Sequence, residues 1–320
     1  MRRLILLVAL AGAAGGCRTA APPVTDAAFP TARGLPESRT RLEAGDPDAA
    51  LSVALKHCGD RPDDPAGHYT VGTLRLLMRS YRDALTALDR ATELLPTDGQ
   101  AHSNRGLALL GLGRYGEAEM AFERAAELLP SDARPLVNLA VALTREGRLS
   151  AAEDTFEKAL ARDGNSREAR LGYADALGRS GRAELAVEQL DGWLASHPND
   201  AEAWWSLSAA LTRLGRFDDA TARAEKACAL APGNAGPWVA AALARDLKGD
   251  KAGAAERYKA ALKLDAKDLG ALYNYGLMLI ELQHNADAVS VLTRYLASAP
   301  PESSGYREVE GHLRKIQAQP

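Results

Sequence analysis

The residues in this chain that could do chemistry are few, and most stand alone. Gly111-Leu112-Gly113-Arg114-Tyr115-Gly116 spells the GxGxxG of dinucleotide loops, where glycines let backbone approach a pyrophosphate at a helix N-terminus. That chemistry needs a strand ahead of the loop. A helical pattern precedes this one, so Gly113 reads as an inter-helix turn. His57, His68, His102, His197, His284 and His312 form no HExxH or other ligand pair. His68 and His102 fall on a helix face that packs and are expected as hydrogen-bonded structural side chains. No serine occupies a GxSxG elbow, and neither a catalytic group, a metal nor a cofactor is expected. Cys17, Cys58 and Cys228 are too few and too scattered for a disulfide framework or zinc cluster. Buried free thiols are the expectation for Cys58 and Cys228. One charged set does recur: Arg145, Arg179 and Arg213 lie 34 residues apart. Stacked guanidinium forks of this kind can grip carboxylates, or merely meet the negative end of a helix dipole.

The elements that must carry those arginines share their period. Prolines 62, 96, 130, 198, 232 and 300 fall in a 34-residue frame, with Gly164 and Ala266 in its two gaps. The alanines at 50, 84, 118, 152, 186, 220, 254 and 288 keep it without a miss, and glycines at 45, 113, 147, 181, 215 and 249 yield only to Arg79 and Gln283. Each frame residue has a local job. Asp64, Asp98, Asp132, Ser166, Asp200, Asn234 and Asp268 can cap the helix that follows. The glycine can close a first helix in the left-handed conformation, and the proline cannot continue a second. Small residues at 72, 106, 140, 174, 208, 242 and 276 permit close helix contact. The spacing therefore predicts helix-turn-helix units over 31–64, 65–98 and on to 269–302. Such units bury their apolar faces only by stacking.

Together the small residue, the alanine, apolar Leu88, Phe122, Phe156 and Leu190, the alanines 91, 125 and 159, and the proline resemble the tetratricopeptide repeat. Trp204 and Trp238 stand where that family has tryptophan. The resemblance is strong over 65–302 as seven repeats, and weak over the degenerate N-terminal repeat 36–64. It implies an all-α, right-handed superhelical solenoid, with 303–320 supplying a C-terminal capping helix and tail. Trp193 and Tyr295 replace the family's usual alanine, so packing in 167–200 and 269–302 should be looser or shifted. In the family, first helices line a concave groove that holds peptides or partner helices. Carried over, this places Tyr69, Ser103, Val137, Leu171, Trp205, Val239 and Tyr273 in the groove, with Leu76, Leu107, Leu110, Val141 and Leu243. Asn104, Asn138 and Asn274 occupy the family's asparagine-ladder position, broken here by Gly172, Ser206 and Ala240. Ser103, Val137 and Leu171 stand where a chaperone-tail clamp has lysine, which disfavours chaperone docking.

The N-terminus reads as an address. Arg2 and Arg3 precede an apolar run from Leu4 to Ala14, about half the roughly 20 residues of a spanning helix, as in a secretory signal. Gly15-Gly16-Cys17 resembles the lipobox of bacterial lipoproteins, although Ala14 departs from the commoner leucine. The resemblance implies cleavage after residue 16, acylation of Cys17, and, without aspartate at Arg18, an outer-membrane location facing the periplasm. Residues 18–35 mix Pro, Ala and Thr as an extended tether.

The formal charge is -3, from 39 basic and 42 acidic residues interspersed along the chain, so nothing pulls it towards nucleic acid. No stretch outside the repeats is left to hold an enzyme domain. The function expected is a non-enzymatic, lipid-anchored envelope scaffold that binds a protein segment through Tyr69, Asn104, Asn138, Arg145, Arg179, Trp205, Arg213, Tyr273 and Asn274. The alternatives are a pilotin-like assembly factor for a pilus or secretion pore, and the regulatory arm of an envelope enzyme complex.

Overall fold

The structure, a computed structural model, describes residues 34–317. Cys17, the signal stretch 1–17 and the tether up to residue 33 lie outside the described residues. Among the described residues there are 17 helices and no strand. Residues 34–176 form one compact unit. It holds α1 (Pro36–Glu43), α2 (Pro47–Asp60), α3 (Pro65–Leu77), α4 (Tyr81–Leu94), α5 (Gly99–Gly111), α6 (Tyr115–Leu128), α7 (Arg134–Glu146), α8 (Leu149–Arg162) and most of α9 (Arg167–Arg179). Residues 177–317 form the other. It holds the end of α9, then α10 (Ala183–Ser196), α11 (Ala201–Arg213), α12 (Phe217–Leu230), α13 (Ala235–Lys248), α14 (Lys251–Leu264), α15 (Leu269–Glu281), α16 (Asn285–Ser298) and α17 (Ser304–Gln317). Within each unit the helices pack in consecutive pairs.

The second helices from α4 to α16 begin at Tyr81, Tyr115, Leu149, Ala183, Phe217, Lys251 and Asn285, 34 residues apart each time. Local chemistry sets that register. Asp64, Asp98, Asp200, Asn234 and Asp268 accept backbone amides at 2.7–3.3 Å, and Ser166 accepts from Ala169 at 3.3 Å. Asp132 likewise accepts from Arg134 N at 2.9 Å, although α7 starts one residue later in its repeat than its counterparts. Every frame glycine has positive φ, from 73° to 98°. Arg79 and Gln283 adopt the same conformation at 59° and 60° despite their side chains, so the turn is imposed by the packing of the helices it joins.

The pairs pack on small residues. All eight frame alanines are fully buried. A methyl added at Gly72, Gly106 or Gly276 would come within 2.2–2.5 Å of Leu88, Phe122 or Leu292 on the paired helix. Ser208 uses the same position to donate its hydroxyl to Ala220 O at 2.8 Å.

The fourth residue of a repeat supplies a further tie. His68, His102, Arg170, Trp204 and Trp238 each donate a side-chain N–H, at 2.8–3.2 Å, to the carbonyl six residues earlier, that of Pro62, Pro96, Gly164, Pro198 or Pro232. His68 and His102 are thus hydrogen-bonded structural side chains. Arg223 and Arg257 lie over the Trp204 and Trp238 rings at 5.3 and 5.4 Å, adding cation–π contact.

Trp193 and Tyr295 do not loosen their repeats. Both are buried, and each reaches the start of the next repeat. Trp193 Nε1 donates to the capping carboxylate of Asp200 at 2.9 Å while its ring stacks on His197 at 3.6 Å. Tyr295 takes a hydrogen bond from Ser303, and its hydroxyl lies so close to Gly305 that a methyl there would meet it at 2.5 Å. His57, at the same frame position, pairs with the capping Asp64 at 2.7 Å. A large polar side chain in the alanine slot fastens one repeat to the next.

Candidate protein-binding surface

First helices in each unit carry the side chains expected to meet a partner, and the structure divides them. Tyr69, Asn104, Asn138 and Tyr273 are buried, as are Leu76, Ser103, Leu107, Val137 and Leu243. The expectation that these nine present their side chains to a groove is revised. Neighbouring first helices sit close enough for the residues to meet across the seam. Asn104 Nδ2 donates to Thr73 Oγ1 of the preceding repeat at 3.0 Å, so its amide is spent within the fold. Tyr273 is covered by the capping helix: its ring lies 5.6 Å from that of Tyr295 and its hydroxyl donates to Glu308 of α17. Burial, then Glu308, pushes the Tyr273 phenol far above its ordinary range. The resemblance could not show that α17 reaches back this far.

The remaining residues form a strip of partly exposed side chains along the first helices of each unit. In the 34–176 unit these are Leu110, Val141 and Leu171, with Arg145 exposed at the last turn of α7. In the 177–317 unit they are Trp205, Val239 and Asn274, with Arg179 and Arg213 at the ends of α9 and α11. Two glycines fix side chains in this strip. The Trp205 indole lies against Gly236, where a methyl would meet it at 2.6 Å. The Arg213 guanidinium lies over Gly178, where a methyl would stand 3.3 Å from Nη1. Fixed aromatic and guanidinium groups lose little side-chain entropy when they meet a partner.

Other chemistry is sparse. Cys58 is half-buried and Cys228 buried, and both are free thiols. Burial pushes the Cys228 thiol up to about 12, which keeps it protonated. Gly111 to Gly116 spans the turn from α5 to α6, as its helical flanks imply. Among the described residues no group of three or more His, Cys, Asp and Glu could hold a metal. None of their helices is long and apolar enough to cross a membrane.

Comparison with known proteins gives this architecture its place. Profiles of the tetratricopeptide repeat match residues 97–165, 143–211, 201–226 and 239–303. No curated protein matches the chain. A tetratricopeptide repeat protein from Parabacteroides merdae is similar in structure with a TM-score of 0.66 at 18% identity, over 76% of this chain and 96% of that one. Yeast Tom70 is similar at a TM-score of 0.67 and 15% identity, over 90% of this chain and 62% of its own. TTC0263, a TPR protein of Thermus thermophilus, gives 0.52 at 20% identity, over 58% of this chain and 98% of that one. At these identities the likeness concerns the fold. The chain is a tandem array of tetratricopeptide repeats.

Proposed function

We propose that this chain is a non-enzymatic scaffold of a bacterial envelope, anchored by lipid at Cys17, that binds a segment of a partner protein along its first helices. The observation that carries the reading is the strip just described, because water-facing apolar side chains flanked by arginines mark partner sites. In the 34–176 unit Val141 and Leu171 would bury apolar area while Arg145 meets carboxylates, and in the 177–317 unit Val239 and the Trp205 ring would do so beside Arg179 and Arg213. Asn274 would hydrogen-bond a partner backbone. The anchor rests on the lipobox spelling around Cys17, and the outer-membrane, periplasm-facing location on the residue after it.

Two variants test the halves of this reading separately. Trp205→Ala combined with Arg179→Ala should preserve helicity and reduce crosslinking to the partner in cells at least tenfold, since truncating central anchors commonly costs about 2 kcal/mol or more. Undiminished crosslinking would refute the site. Cys17→Ser should abolish incorporation of labelled fatty acid and release the protein from membranes. Retained label would refute the anchor and leave the binding strip standing.

A further inference from the structure

A cleft of about 260 Å³ opens between α6 and α8 in the 34–176 unit. It lies on the second-helix side, away from the partly exposed strip on the first helices. Leu136, Leu139 and Leu143 of α7 form its floor, and charged side chains of α6 and α8 form its walls. Arg148, just before α8, reaches across to Glu119 of α6 and also contacts Glu146 at 3.3 Å, so that cation is already engaged. Glu123 and Asp154, on opposite walls, make no hydrogen bond or ion pair with the described residues. Lys158, four residues beyond Asp154, makes none either and stands at the rim.

The volume lies below the roughly 300–1,000 Å³ of small-molecule sites, and suits one long side chain. An apolar floor beside two unpartnered carboxylates matches a side chain with an aliphatic stem and a cationic head. We propose that this cleft receives a single arginine or lysine side chain projected from a partner polypeptide, its stem on the leucine floor and its head between Glu123 and Asp154. Lys158 is the internal competitor for those carboxylates. The site is independent of the first-helix strip, so either can fail alone.

The test titrates the full chain, labelled at leucine methyls, with acetyl-Ala-Arg-Ala-amide and with its norleucine counterpart. The arginine peptide should shift the Leu136, Leu139 and Leu143 methyl resonances saturably, and the norleucine peptide should not. Glu123→Gln with Asp154→Asn, both exposed and so harmless to the fold, should weaken binding about tenfold, in line with loss of a charge-assisted hydrogen bond. Lys158→Gln should tighten it severalfold, because a cation at the rim no longer opposes the incoming one. Equal shifts with norleucine, unchanged affinity in the double variant, or no tightening on removal of Lys158 would each overturn the proposal.

Discussion

His57 and Asp64 show what a single residue contributes between repeats. Asp64 accepts the Ala66 amide at 3.0 Å with one oxygen and the His57 ring at 2.7 Å with the other, so one carboxylate both starts α3 and ties α2 to it. The hydrogen bond from His57 holds the Asp64 carboxyl below the usual carboxylate range. A depressed folded pKa stabilises the fold above the unfolded value of about 4 and loses that contribution as pH falls through the folded value. Asp64→Asn retains a capping oxygen but loses the charge. It should cost about 1 kcal/mol at pH 7, with the difference from wild type shrinking below about pH 4, measured as urea unfolding across that range. A gap that stays constant into acid would remove the charged carboxylate from the explanation. The cap itself was legible in the sequence, because an Asp before a helix acts on amides two residues away. The pairing was not, because His57 in an alanine slot reads only as a poor fit. The signal available was a bulky donor seven residues ahead of a capping aspartate, shared by His57 with Asp64 and Trp193 with Asp200.

The helical hairpin is the element whose geometry the frame dictates, and its tightest constraint is the second-helix alanine. Ala152 is fully buried against the first helix of its hairpin, whereas Ala161 on the same α8 faces solvent. Ala152→Trp should overpack that contact at a cost of about 3 kcal/mol or more, and Ala161→Trp should cost under about 0.5 kcal/mol. Circular dichroism during urea unfolding separates the two, and equal losses would contradict the packing described here. Helix boundaries, turns and caps were readable because each depends on residues within one repeat. Their register survives even at Arg79 and Gln283, where no glycine marks the turn. What lay between repeats was less legible. The position carrying Tyr69, Val137 and Tyr273 reads as groove-facing in one repeat, yet the next repeat, or for Tyr273 the capping helix, closes over it.

At the scale of the whole molecule, repeats that contact only their neighbours leave side chains of successive first helices open to solvent, which suits binding an extended chain. The candidate surface was half legible in the sequence. Arg145, Arg179, Arg213 and Trp205 remain on the partly exposed strip, whereas the asparagines divide, with Asn104 and Asn138 buried and only Asn274 partly open. Burial depends on contacts between neighbouring helices, and a 34-residue period says only that those helices exist. The most direct measurement of the central claim places a photoactivatable benzoylphenylalanine at Val239 on first helix α13, or at exposed Lys226 on second helix α12, and irradiates living cells. A discrete partner adduct from Val239, lost with Trp205→Ala and absent from Lys226, is the predicted result. Adducts of equal yield from both positions, or from Lys226 alone, would contradict a first-helix binding surface.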